Sequence, residues 1–219
     1  MLGEYVKEEL SKKYELKTRD IGECEKLSKK GMTFETKSYS VEGIGNMCVM
    51  TMKAMMGLMK METVVLSVNE KDAPLINLDW IKVMGKETLM CELYDTQINP
   101  YSEEPLLKMQ KLSDEDKNIE DYVASGKHWY DDILYPCSYK KTGKQLHDRF
   151  EAVGKKFFDI YFDELQKLPG CDVGGKREKN QFFAETLFSK GGPAVDQVKK
   201  LFGETIAKKL VVNCMYGVE

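Results

Sequence analysis

Between Thr33 and Asp95 apolar and polar positions alternate with a period of two, the spacing of strands whose successive side chains point to opposite faces. The alternation predicts strands over 33–41, 46–54, 58–68, 75–83 and 88–95, joined by short connections at Met55-Met56-Gly57 and Gly85-Lys86-Glu87 that suit antiparallel hairpins. Residues 47–61 hold seven methionines, read as flexible filler on a sheet face because β-rich stretches flank them. On either side the period lengthens. Residues 3–30 read as one or two amphipathic helices, with Leu10, Tyr14 and Leu16 as contacts and Gly31 as the stop. From 142 to 168, Leu146, Phe150, Val153, Phe157, Tyr161 and Leu165 recur at three- and four-residue steps, the signature of a long helix ended by Pro169-Gly170. Two further helices are predicted over 180–189 and 194–212, separated by Gly191-Gly192-Pro193. Residues 99–127 are polar and acidic, a surface loop with a short helix, and 129–139 reads as one more strand.

Helices, then a meander, then helices again is an α+β order. The expected architecture is a three-layer α/β/α sandwich around one mainly antiparallel sheet. It would form one domain over 1–219, helical over 1–30, mostly sheet over 33–139 and mostly helical over 142–219.

Composition narrows the chemistry. With 42% hydrophobic and 32% charged residues the chain can bury a real core, and a net charge of −3 argues against nucleic acid as a partner. The apolar runs are too short to span a bilayer and no signal-peptide pattern opens the chain, so a cytoplasmic protein with no membrane partner is expected. The six cysteines are scattered without a CxxC pair, which suits reduced thiols. Two histidines and no HExxH leave no zinc pattern, and GxGxxG, Walker and GxSxG sequences are absent, so no bound metal or cofactor is expected. Helices of mixed Lys and Glu with no spare apolar stripe point to a monomer.

The first candidate for chemistry is Asp95, which closes the apolar run Leu89-Met90-Cys91-Glu92-Leu93-Tyr94. Alternation puts it on the face of Leu89, Cys91 and Leu93, away from Glu92, where burial would raise its pKa towards neutrality. Asp79, in Pro74-Leu75-Ile76-Asn77-Leu78-Asp79-Trp80-Ile81, reads as a tie between strand and loop. His128 precedes Trp129 in a polar loop and is a candidate ligand contact.

Four segments in order resemble the ferredoxin-dependent bilin reductases, the family that also takes in red chlorophyll catabolite reductase. Ala73–Ile81 resembles the family's Leu-Pro, aromatic-Gly, Asp strand, and Cys91-Glu92-Leu93-Tyr94-Asp95 resembles the next strand with its central proton-donating aspartate. Trp129–Cys137 resembles a later Trp/Glu-Ile-Phe segment, and Val198–Lys209 the closing Ala-Phe-Gly-Glu helix, with Met215-Tyr216 in place of Leu-Phe. The sequence departs from the family at three places. Glu62 stands where members that make phycocyanobilin have histidine, Gly191-Gly192-Pro193 where several have Asn-Asp-Lys-Thr, and Lys141 or Lys140 where an arginine clamps a propionate.

The resemblance implies reduction of a linear tetrapyrrole such as biliverdin by single electrons from reduced ferredoxin or flavodoxin, with protons from pocket acids. It casts Asp95 and Glu62 as those acids in one cavity, with one of the two protonated near neutral pH. Lys141, Lys140, Asp79, Asn77 and His128 would hold substrate. Lysine pairs such as 199/200 and 208/209 would meet an acidic electron donor. The alternative implied by the departures is a non-catalytic tetrapyrrole carrier on the same fold.

Overall fold

A computed structural model describes residues 1–218, the side chain of Pro193 excepted. Helix α1 (Leu2–Ser11) opens the chain and buries Leu2, Val6 and Leu10 on one face. The helical expectation for 3–30 fails beyond it. Short strands β1 (Leu16–Thr18) and β2 (Lys26–Lys29) flank a 3₁₀ turn at Gly22–Glu25. Both pair antiparallel with β3 (Met32–Val41), β1 along its end and β2 along its start. Without them β3 would be an open edge with unpaired backbone groups, and this tertiary demand overrides local periodicity. Gly31 accordingly closes a hairpin, at φ 75°, instead of ending a helix.

The alternating stretch continues as β4 (Gly45–Ala54), β5 (Met59–Val68), β6 (Leu75–Val83) and β7 (Lys86–Tyr94), each antiparallel to the next. After α2 (Glu103–Glu115) come β8 (Glu120–Asp121), a 3₁₀ turn at Trp129–Ile133, β9 (Tyr139–Lys144) and α3 (His147–Lys167). The expected strand over 129–139 is therefore corrected to a turn and loop. The Asp131 carboxylate accepts the His128 backbone N–H at 2.7 Å, which fixes the turn, and β9 takes residues 142–144 that were read as helix. Helix α4 (Val173–Lys190) starts earlier than expected because the Asp172 carboxylate caps it through the Gly174 N–H at 3.1 Å. The last predicted helix is broken at Gly203, φ 83°, into α5 (Pro193–Phe202) and α6 (Glu204–Lys208), which runs on as a π-helical segment, Lys209–Met215.

The sheet order is β1-β3-β4-β5-β6-β7-β9-β8, with β2 beside β3. One face packs under α1, α2 and α3 through Val64, Leu66, Ile76, Leu78, Leu89, Cys91 and Leu93. The other packs under α4, α5, α6 and the π segment through Cys48, Met50, Met52, Val65, Leu75 and Tyr94. This is the three-layer α/β/α sandwich of the α+β class. Among the described residues no helix is long and apolar enough to cross a membrane.

Candidate active site

Strand register builds a polar strip on the face turned to the C-terminal helices. Thr36, Met50, Thr63, Asp79, Met90 and Lys140 lie directly opposite one another in successive strands from β3 to β9. One pleat along, Ser38, Cys48, Val65, Asn77 and Glu92 make a second row. Opposed residues in adjacent strands share a face, so Asn77, Asp79, Glu92 and Lys140 converge on one patch.

Asp79 is half-buried at its centre. The Thr63 hydroxyl donates to one of its carboxyl oxygens, and the Asn77 side-chain amide donates to the other at 2.7 Å. Its pKa is pushed up to about 6. Burial is the main cause and the neighbouring Glu92 charge adds to it, against the pull of the two donated hydrogen bonds. Glu92, itself buried, is held between Lys140 Nζ at 2.8 Å and the Tyr94 hydroxyl, which donates to it at 2.7 Å.

Aromatic rings line the ground beside this patch. Phe183 of α4 packs on Tyr94 (4.9 Å between ring centres), Tyr216 (5.4 Å) and Trp129 (5.5 Å), while Tyr130 meets Tyr94 edge-on at 6.0 Å. His128 stacks on Tyr130 at 5.0 Å. Burial and then the Glu92 charge push the Tyr130 phenol up to about 12. Burial, with Asp79 and Glu92 next, holds Tyr216 well above its usual range. Among the described residues, His128 Nε2 and Trp129 Nε1 beside the patch, and Thr36 Oγ1 three strands away along its row, are buried without a hydrogen-bond partner. A protonatable acid, an ion-paired second acid, flat rings and unspent polar atoms together suit a planar conjugated ligand that takes up a proton.

The structure redistributes the residues expected from the sequence. Asn77, Asp79 and Lys140 are in the patch, and His128 borders it. Asp95 is not: it is exposed, because β7 ends at Tyr94 and the chain turns away, the Asp95 N–H donating to the Ile133 carbonyl at 2.8 Å. The face it would have continued, that of Cys91 and Leu93, packs under α3 and not under the C-terminal helices. Glu62 is buried, but on that same far face, where its two oxygens accept the Leu2 and Gly3 N–H groups at 3.0 Å each. It caps α1, and the expected pairing of Glu62 with Asp95 in one cavity is corrected. Lys141 also points away; it is buried opposite Leu89 and pairs with Asp121 at 2.6 Å. Asp79, read as a strand-to-loop tie, lies inside β6. Glu92, Tyr94, Tyr130, Phe183 and Tyr216 were missed. The available signal was that Asn77-x-Asp79 and Glu92-x-Tyr94 each put two polar groups on one face.

A surface cavity of about 630 Å³ lies elsewhere, between the segment after β1 and the C-terminal helices, and is lined by Arg19, Ile21, Phe188, Lys208, Lys209 and Cys214 among others. It contains none of the acids above. Chemistry, not volume, assigns the site to the Asp79 patch.

No family model and no curated protein matches the sequence. Among solved structures the fold is similar to the selenomethionine form of phytochromobilin synthase from tomato in complex with biliverdin. The TM-score is 0.78 over 98% of this chain and 81% of that one, at 12% identity. The chain therefore shares the fold of the tomato phytochromobilin synthase, in agreement with the fold that the four sequence segments led one to expect.

Proposed function

We propose that the protein is an oxidoreductase that reduces a linear tetrapyrrole such as biliverdin, taking single electrons from reduced ferredoxin or flavodoxin and protons through Asp79. The observation that carries this reading is the half-buried Asp79 carboxyl, near pKa 6, on the sheet face that meets the C-terminal helices. The shared fold supports the ligand class, since the tomato protein was crystallised with biliverdin.

In this reading the rings of Tyr94, Trp129, Tyr130 and Phe183 hold the flat conjugated system. Each electron that reaches the ligand raises its basicity, and protonated Asp79 donates to it. Saturating one double bond takes two electrons and two protons, so Asp79 reloads from water between transfers. Lys140 balances the Glu92 charge beside it, and its ammonium offers a propionate a cation on this face.

A tetrapyrrole carrier is the second reading. It is favoured by one observation, that neither Asp95 nor Glu62 reaches the patch. An anaerobic titration separates the two. Bilin binding shifts the visible spectrum, and reduced ferredoxin then shifts the absorption to the blue if the protein is a reductase. Binding without turnover assigns a carrier, and no spectral change across several bilins removes both.

A further inference from the structure

The hairpin tips at one end of the sheet present apolar side chains to solvent. Met55, Met56 and Leu58 form the β4–β5 tip and Met84 the β6–β7 tip; all four are exposed, Met56 completely and Met84 to 70%. The tips are fastened to each other, the Met84 N–H donating to the Leu58 carbonyl at 3.0 Å. Met55, Met56 and Met84 have φ of 52°, 54° and 48°, in the left-handed region where turns ordinarily use glycine or asparagine. Unbranched apolar residues there give up both backbone comfort and burial, which turn formation alone does not explain.

Immediately behind the tips stands a row of cations. Lys53, Lys60 and Lys82 lie directly opposite one another on β4, β5 and β6, an arrangement of like charges that weakens a sheet. Lys82 has a partner in Glu87 at 3.2 Å, whereas Lys53 and Lys60 make no ion pair among the described residues. The order from the apex inward is therefore apolar side chains and then lysines about two residue steps, roughly 7 Å, further back.

We infer that this end of the sheet docks on an anionic phospholipid bilayer, the methionine and leucine tips entering the acyl boundary and the lysines meeting headgroup phosphates. The chemistry is that of apolar anchors combined with basic residues at an interface. A bilayer deforms around such projections, and the flexible methionine adapts to it. A second copy of this chain fits poorly, since a two-fold contact would set lysine row against lysine row. The inference departs from the expectation of no membrane partner, and it involves surface contact, not a span.

The test is co-sedimentation of the full chain with vesicles of phosphatidylcholine alone or with about one-third phosphatidylserine, at low and high salt. Binding is expected to the anionic vesicles only and to weaken with salt. Met56→Asn with Met84→Asn should lower it at least about tenfold. Asparagine tolerates left-handed φ, so that variant should melt no lower than the parent, which separates lost docking from lost folding. Lys53→Gln with Lys60→Gln should lower it several-fold. No vesicle binding, or binding that both variants keep, overturns the inference. So does concentration-dependent self-association that the methionine variant abolishes, which would assign the tips to a second copy. Affinity for an acidic protein such as ferredoxin that depends on the tips, in the absence of vesicle binding, would assign them to a protein partner. None of these outcomes depends on bilin reduction.

Discussion

Asp79 and Glu92 stand on neighbouring rows of one sheet face, and the Glu92 charge helps to hold the Asp79 carboxyl near pKa 6 while Lys140, 2.8 Å from Glu92, offsets that charge. A donor must carry its proton, so turnover should fall as pH rises through about 6. Glu92→Gln removes a neighbouring negative charge and should move the fall to lower pH. Lys140→Met leaves Glu92 unbalanced and should move it to higher pH. Single-turnover rates across pH report both, and displacements in the same direction for the two variants would break the assignment.

Asp79→Asn separates stability from chemistry. A carboxyl raised from 3.8 to about 6 destabilises the fold by about 3 kcal/mol once ionised. That cost is absent below pH 4, grows between the unfolded and folded values, and is complete above about 6. The asparagine variant should therefore unfold at higher denaturant than the parent near pH 8, yet bind bilin and stall after an electron arrives. Chemical denaturation at acidic and alkaline pH checks the first part, and accumulation of a one-electron-reduced ligand by absorption or spin resonance checks the second. A variant that forms product at the parental rate would place the proton elsewhere.

The strands from Thr33 to Tyr94 were legible because alternation and turn residues coincide there. What alternation does not reveal is which face meets which helices when both faces are covered. Asp95 and Asp79 were both strand acids, but Asp79 lies on the face that meets the C-terminal helices, whereas Asp95 follows the strand end and would have continued the opposite face. The same ambiguity separates Lys140 from Lys141, neighbours on β9 that point to opposite layers. Glu62 shares a face with Val64 and Leu66, as alternation along β5 requires. That face, however, packs under α1, whose first N–H groups need an acceptor. Tyr130, Phe183 and Tyr216 come from separate segments, so only the tertiary fold could assemble them.

Glu62 is accordingly expected to matter for folding and not for turnover. It satisfies two N–H groups at the start of α1, close enough that a Cβ on Gly3 would sit 3.0 Å from its Oε1. Glu62→Ala should destabilise the chain by about 1–3 kcal/mol through the lost cap and the orphaned donors. The pH dependence of turnover in folded protein should not change. A shifted pH–rate profile would return Glu62 to the chemistry.

Lys176 supplies a prediction of opposite sign. It is fully buried in α4, donates to Thr96 Oγ1 and Asn180 Oδ1 at 3.1 Å each, and makes no ion pair among the described residues. Burial lowers its pKa to about 8, with Asp72 the first charge opposing that shift. The unfolded chain keeps the proton up to about 10.5, so between 8 and 10.5 the unfolded state binds more protons and this residue makes stability rise with pH. Near pH 7 the charged ammonium carries the whole penalty, about 3 kcal/mol. Lys176→Met keeps the straight stem and removes the charge. Thr96 Oγ1 still accepts the Leu75 N–H and the Asn180 amide still donates to Val68 and Asn69, so the lost bonds leave only Asn180 Oδ1 short of a donor. The difference in unfolding free energy between parent and variant, measured in urea, cancels the other titrating groups. It should favour the methionine variant near pH 7 and shift towards the parent by about 2–3 kcal/mol near pH 10. Parallel stability curves across that range would mean that water or a hidden partner keeps the ammonium charged.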